Sequence, residues 1–368
     1  MQDKLGLYIH IPFCGKKCPY CSFYSCRYSR KMSDEYCVNL TAMIKLYSQL
    51  YKSKTLDTIY FGGGTPSLLG TQRLVSLLDA IYKYFNCAVK ETTIEINPGS
   101  GMKLDYSELA KAGLNRVSIG MQSVNADELA ELGRKHTPDT IRELVCKIRN
   151  GGIDNISVDL MCCTPNQDIA SLNKSIHFCK ELDVNHISAY MLKIEEGTPF
   201  YQKRDLLNRP NEDEERNLYL FLCNELENLG YKQYEISNFS KPGFESKHNL
   251  KYWNCDDYLG LGPSAHSLVD GRRFYFKDGF SDFNNNITTF ESEGGDEEEY
   301  SMLRLRLTQG LISEGYFERY HKPIPEEYFV RARELMSHNL TNVTDDSISL
   351  TTEGFLLSNS VIAKILWG

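Results

Sequence analysis

The sequence predicts an α/β fold: a partial (β/α)6 TIM-like barrel followed by a small, mainly helical C-terminal domain of winged-helix-like order. Three observations carry this. Six short β-rich runs alternate with helical patterns over the first two hundred residues. Polar residues gather where those runs end, as they do where a parallel barrel assembles a site from its strand C-termini. The alternation then stops after Pro199.

The runs are Leu7 to Ile11, Thr58 to Phe61, Thr92 to Ile96, Arg116 to Gly120, Ile156 to Met161 and His186 to Leu192. They read as nearly all apolar, as strands covered on both faces do. Helical patterns fall at about 34–50, 71–85, 105–112, 127–132, 138–150 and 171–182. GGGTP follows the second run, Glu95 and Asn97 end the third, and Gln122 and Ser123 follow the fourth. Asp159 interrupts the fifth, and Tyr190 and Lys193 end the sixth. A dinucleotide fold would place a glycine-rich turn after its first strand, where this chain carries cysteines instead. Beyond Pro199, Asn211 to Leu229 reads as a helix and GYKQYEIS as a strand, while 238–262 is rich in aromatic and turn residues. The acidic stretch ESEGGDEEEY opens the C-terminal unit, with helices at about 297–308, 325–338 and 352–366 around the hairpin NVTDDSISL. The expected division is 1–200 for the barrel core, 201–290 for its extension and 291–368 for the small domain.

Composition narrows the function. With 41% hydrophobic and 24% charged residues, the 368-residue chain is an ordinary globular protein. A net charge of -8 gives no general case for nucleic-acid binding. The apolar start ends at Cys14, too short for a spanning helix or an export signal, so a cytoplasmic protein is expected. Its 12 cysteines then do not read as a disulfide framework.

One group has ligand spacing: Cys14-x3-Cys18-x2-Cys21. Thiolates this close bind an iron-sulfur cluster or zinc. Three on one loop leave one iron of a cubane open, a zinc site made only of cysteines needs a fourth, and Cys26 or His10 could supply a fourth ligand to either. Tyr20 and Phe23 are expected to shield the site from water. In Gly62-Gly63-Gly64-Thr65-Pro66, the absent side chains let backbone groups approach a small polar ligand.

These motifs resemble a known family: YIHIPFCGKKCPYCSF, FGGGTPSLL, IEINP, NRVSIGMQS, LGRKHT, VDLM, EEGTPF, QYEISNFSKPG, HNLKYWNCDDYLGLGPSAHS and MLRLRLTQGL. Together they span nearly the whole chain. The chain is similar to radical S-adenosylmethionine proteins of the oxygen-independent coproporphyrinogen III oxidase family, and more closely to that family's haem chaperone branch. The resemblance implies that Cys14, Cys18 and Cys21 hold a [4Fe-4S] cluster whose fourth iron binds S-adenosylmethionine. It implies cofactor contacts from Tyr8, Gly62, Gly63, Gly64, Thr65, Glu95, Gln122, Arg134 and Asp159. It also implies reductive cleavage of the sulfonium to methionine and a 5′-deoxyadenosyl radical.

Two activities compete within the resemblance. The oxidase branch carries a longer segment ahead of the cluster and a further cysteine two positions after the third. Here the motif begins at Cys14 and that position is Phe23, so coproporphyrinogen decarboxylation is not expected. The chaperone branch carries HNxxYW, present as His248 to Trp253. His248 is then the expected haem ligand, with His266 second, since imidazole suits haem iron. By resemblance the partners are haem, membrane haem enzymes that receive it, an electron donor and a second copy of the chain. Peripheral membrane association is a further expectation, and no nucleic acid is expected. A scaffold that keeps the barrel without its chemistry is the reading from a different class. One departure stands out: relatives usually read LMFGLPNQ where this chain has Leu160-Met161-Cys162-Cys163-Thr164-Pro165-Asn166-Gln167. Cysteine in place of the glycine is expected to alter backbone approach to the cofactor.

Overall fold

A computed structural model describes residues 3–368. All six expected strands form, as β1 (Lys4–Ile11), β2 (Thr55–Gly63), β3 (Asn86–Ile96), β4 (Arg116–Gln122), β5 (Asn155–Cys162) and β6 (His186–Met191). They pair in parallel in chain order, with Tyr8 opposite Tyr60, Glu95 opposite Ser118 and Asp159 opposite Ser188. The helices between them are those the periodicity marks, including Arg30–Leu50, Thr71–Tyr84 and Pro138–Asn150.

The strands are buried on both faces, yet they are not apolar on both. Side chains alternate with period two. One face carries Leu7, Ile9, Ile59, Ile94, Val117, Ile119, Val158 and Ile187, all buried in the core under the helices. The other carries Tyr8, Tyr60, Glu95, Arg116, Ser118, Asp159 and Ser188, and it faces the barrel interior. The apolar appearance of the runs comes from the helix-facing half alone. Leu7 lies between two neighbouring strands and has no exposed surface. Leu7→Ala is expected to cost about 2–5 kcal/mol of stability in denaturant unfolding, the usual range for such a cavity.

Four further strands extend the sheet beyond β1. Tyr258–Leu261 pairs with β1 in parallel, and His266–Val269, Arg272–Tyr275 and Thr289–Glu293 follow antiparallel. Beyond β6 the hairpin strands Asn238–Ser240 and Lys232–Glu235 add on antiparallel. The result is one open sheet of 12 strands, with Thr289–Glu293 and Lys232–Glu235 at its two edges. All six additions are only three to five residues long, too short for a period to show in the sequence.

The helix Glu212–Asn228 starts where Asn211 accepts from the Glu214 N–H (3.0 Å) and Glu214 accepts from the Asn211 N–H (2.8 Å). The C-terminal unit runs helix, strand, helix, helix, strand, strand: Glu297–Arg304, Leu311–Ile312, Ser313–Tyr320, Glu326–Met336, Thr341–Val343 and Ser347–Leu350. That is the winged-helix order, with a last helical stretch that breaks at Leu357. Helix Ser313–Tyr320 has no counterpart in the sequence reading. The unit docks on the sheet through the Ile236 N–H to Arg306 O (3.0 Å) and the Thr308 N–H to Tyr234 O (3.1 Å).

Candidate functional site

At the C-terminal ends of the strands lies a cavity of about 410 Å³. Its wall includes Cys14, Cys18 and Cys21 from the loop after β1, and Gly63, Gly64, Thr65 and Pro66 after β2. Glu95, Gln122, Arg134 and Asp159 line it as well. Residues distant in sequence meet here because each leaves the same end of a parallel strand. Tyr8, Gly62 and His248, also expected to contact a ligand, do not line the cavity.

The three glycines make room mainly for protein. A Cβ on Gly62 would stand 3.0 Å from the rings of Tyr60 and Tyr8, and one on Gly63 (φ 103°) would stand 2.6 Å from the His10 ring. One on Gly64 would stand 2.7 Å from the Phe13 carbonyl and 2.9 Å from that of Ile11. The Gly64 N–H donates to Ile11 O at 2.8 Å. The GGGTP loop is therefore pressed against the backbone that leads into the cysteines, and Thr65 Oγ1 lies 3.6 Å from Cys14 Sγ.

Two other motifs hold the cysteine loop from the far side. Gly133 (φ 69°) leaves 3.1 Å for Pro19 against a would-be Cβ, and Arg134 Nη2 donates to Tyr20 Oη at 2.9 Å. The Phe200 N–H, from EEGTPF, donates to Pro19 O at 3.0 Å. Tyr20 is thus fixed over the cavity. Phe23 also lines the cavity, with 68% of its surface exposed.

The polar interior is tuned by burial. Glu95 accepts from Tyr60 Oη at 2.7 Å. Burial first, then the nearby Asp159, pushes its carboxyl up to about 7, against the opposing pull of the Tyr60 hydrogen bond. Asp159 accepts from Ser118 Oγ at 3.0 Å and is also raised by burial. Gln122 ends β4 in the left-handed region (φ 68°), turning its amide to the cavity. Only an ionised carboxylate accepts from a cationic or hydroxyl-rich ligand through both oxygens. S-adenosylmethionine binding is therefore expected to strengthen as pH rises through about 7, and Glu95→Gln to flatten that profile in equilibrium dialysis.

The donor set fits a cluster better than a lone ion. Among the described residues no three His, Cys, Asp or Glu groups converge as ligands of one ion. A cubane spreads its thiolates over three irons, so they need not converge. The fourth ligand that zinc would recruit is not offered by His10: its Nδ1 lies 3.1 Å from Tyr8 Oη and its Nε2 3.1 Å from Tyr24 O. Arg134 Nε, buried without a hydrogen-bond partner, leaves a donor for a bound carboxylate.

HNLKYW lies at the opposite end of the barrel. Helix Lys247–Trp253 plugs the mouth where the strands begin, close enough to β1 that a Cβ on Gly6 would stand 2.7 Å from Lys251 Cδ. Glu91 accepts from the Lys247 and His248 N–H groups at 3.0 and 3.1 Å, and Lys251 pairs with Asp57 at 2.8 Å. His248 is fully buried, its Nδ1 2.9 Å from Thr58 Oγ1 and its Nε2 2.9 Å from Tyr252 Oη. Burial pulls its pKa down to about 3. Both ring nitrogens of His248, the expected haem ligand, are engaged, one by Thr58 of β2 and one by Tyr252 of the helix, and its neighbour Asn249 reaches the cavity. His266 is half exposed on the outer strands, stacked 4.8 Å from Tyr275, with Nδ1 3.5 Å from Glu291.

Cys163, at the position where the family resemblance leads us to expect glycine, takes φ 61°, a conformation glycine adopts without strain. It is fully buried, its N–H donating to Gln167 Oε1 at 2.6 Å, and it is not part of the cavity wall.

Comparison with known proteins agrees with this geometry. Residues 8–179 match the Radical SAM superfamily. The haem chaperone HemW of Lactococcus lactis is 33% identical over 377 residues, covering 100% of this chain and 98% of that protein. The chain belongs to the HemW family. HemW of Bacillus subtilis is likewise 33% identical, over 98% of both chains, and HemW of Escherichia coli is 36% identical over 73% of this one. Among solved structures, coproporphyrinogen III oxidase (HemN) from Escherichia coli superposes with a TM-score of 0.83 over 100% of this chain and 91% of that one. At 19% identity this shows a shared fold alone. Membership of the HemW family within the radical S-adenosylmethionine superfamily implies a [4Fe-4S] cluster and S-adenosylmethionine, and the cavity has the residues for both.

Sequence reasoning missed Arg116, Tyr60 and Ser118 as parts of the interior. The signal was present: like Asp159, Arg116 is an ionisable side chain within a predicted strand, at its first position.

Proposed function

We propose that this protein binds haem and passes it to haem enzymes at a membrane, with the cluster and S-adenosylmethionine housed at the top of the barrel. The observation that carries the reading is full-length similarity to proteins named haem chaperones, joined to retention of the whole cysteine and glycine-loop architecture. When bound, the cluster supplies the electron that cleaves the sulfonium of S-adenosylmethionine. The chain's part is to position that cofactor: Thr65 and the Gly63–Gly64 backbone beside the cluster loop, Arg134 toward its carboxylate, Asp159 and Glu95 toward its donors. Phe23, where the oxidase branch has a further cysteine, supports transfer over decarboxylation. No helix among the described residues is long and apolar enough to cross a membrane.

Haem ligation by His248 requires the Tyr252 bond to open and the plug helix to move. The test is haem uptake by cluster-loaded protein, followed by absorbance, with His248→Ala and His266→Ala beside the parent. Stoichiometric uptake lost in His248→Ala supports an opening plug, and loss only in His266→Ala places the ligand on the outer strands. No uptake by the parent protein, or formation of protoporphyrinogen from coproporphyrinogen III, overturns the reading.

A further inference from the structure

Arg116 lies at the start of β4, well below the cysteines, and its guanidinium reaches the cavity from beneath. The side chain is 2% exposed. Among the described residues its single hydrogen bond runs from Nη1 to Thr93 Oγ1 at 3.4 Å, and Nε has no partner. It forms no ion pair there. The carboxylate with the largest influence on it, Glu91, has both oxygens occupied by the backbone of the plug helix. Glu95 is engaged by Tyr60 and Asp159 by Ser118. The two imidazoles nearby, His186 and His248, are held neutral by burial and by Arg116 itself. A buried guanidinium with its donors this poorly satisfied is costly unless something else completes it.

The cavity wall that holds Arg116 also carries the Asn249 amide, Ser188 and Tyr190, together with the carboxyls of Glu95 and Asp159, both pushed up by burial. A planar fork with free donors suits a carboxylate, whose single charge meets less repulsion from Glu95 and Asp159 than a dianion would. A dianionic phosphate would sit against Glu95 and Asp159 just above.

We propose that Arg116, with Asn249 beside it, is an anchor for the carboxylate of a second organic ligand that enters the barrel beneath S-adenosylmethionine. The carboxylate can come from a propionate arm of a tetrapyrrole or from a small organic acid. The site rests on the barrel cavity and stands independently of the haem reading.

The test uses the full chain with its cluster rebuilt and S-adenosylmethionine present. Saturation-transfer NMR compares propionate with propionamide, and fluorescence titration compares protoporphyrin IX with its dimethyl ester. Each is run on the parent, Arg116→Gln and Arg116→Lys. The expected result is that the parent prefers an acid over its neutral counterpart, and that Arg116→Gln weakens the acid by about 10- to 100-fold. Arg116→Lys is expected to recover part of that binding, since it keeps the charge without the fork. Preference for propionate alone identifies a small acid as the source, and preference for the porphyrin diacid over its ester identifies a tetrapyrrole. If Arg116→Gln does not fold, the acid-against-neutral comparison on the parent decides. A parent that prefers neither acid overturns the proposal, as does a folded Arg116→Gln that binds both acids like the parent. Loss of haem binding with retained propionate preference would remove the haem reading and leave this site standing.

Discussion

Cys18→Ser is expected to reduce the iron and acid-labile sulfide of the anaerobically reconstituted protein to a small fraction of the parent's, while far-UV circular dichroism stays unchanged. A serine hydroxyl is a hard, weakly acidic group and replaces a thiolate poorly on iron. The fold should survive because Cys18 is half-buried on a loop and belongs to neither hydrophobic core cluster. Cys26→Ser separates the cluster from a four-ligand zinc site. The Cys26 backbone N–H donates to Pro12 O at 2.7 Å, an interaction the substitution leaves intact. It should retain full iron content. Cys146→Ser, at an exposed helix position, serves as the control that changes nothing.

Gly64→Ala is expected to weaken S-adenosylmethionine binding roughly 10- to 100-fold, the equivalent of the 1–3 kcal/mol that overpacking usually costs. The added methyl would meet two backbone carbonyls, those of Phe13 and Ile11, which cannot rotate out of its way. The GGGTP loop must then separate from the segment leading into Cys14, and the Gly64 to Ile11 hydrogen bond must lengthen. Gly15→Ala is the matched comparison: its would-be Cβ meets nothing within 4 Å, so affinity should be unchanged. Isothermal titration of the two variants side by side measures the difference. Cluster content measured on the same samples tells whether the loop shift also releases iron.

The parallel strands were legible because each is an apolar run closed by turn chemistry, and because the helices between them hold their period. The cavity was legible for a different reason. Cysteine spacing and a triple glycine are local, and a parallel barrel brings strand C-termini together whatever the intervening sequence. What escaped notice depends on contacts made after folding. Gly62 looks like part of a ligand cradle, yet its neighbours are Tyr8 and Tyr60, which no local pattern reveals. His248 sits in a motif that resemblance ties to haem, yet Thr58 and Tyr252 close it off from opposite sides. Those partners are 190 positions away and 4 positions away, and only the distant one needed the fold to be known. The edge strands near His266 were missed because a four-residue strand carries too few alternations to stand out.

The most direct test is electron paramagnetic resonance of the reduced, cluster-loaded protein before and after S-adenosylmethionine is added, using cofactor labelled with 17O in its carboxylate. The spectrum should shift, with hyperfine coupling from the label to the cluster, because three cysteines leave one iron open to the cofactor. A spectrum that does not change with S-adenosylmethionine, from protein holding a full complement of iron, would contradict the site assembled at the top of this barrel.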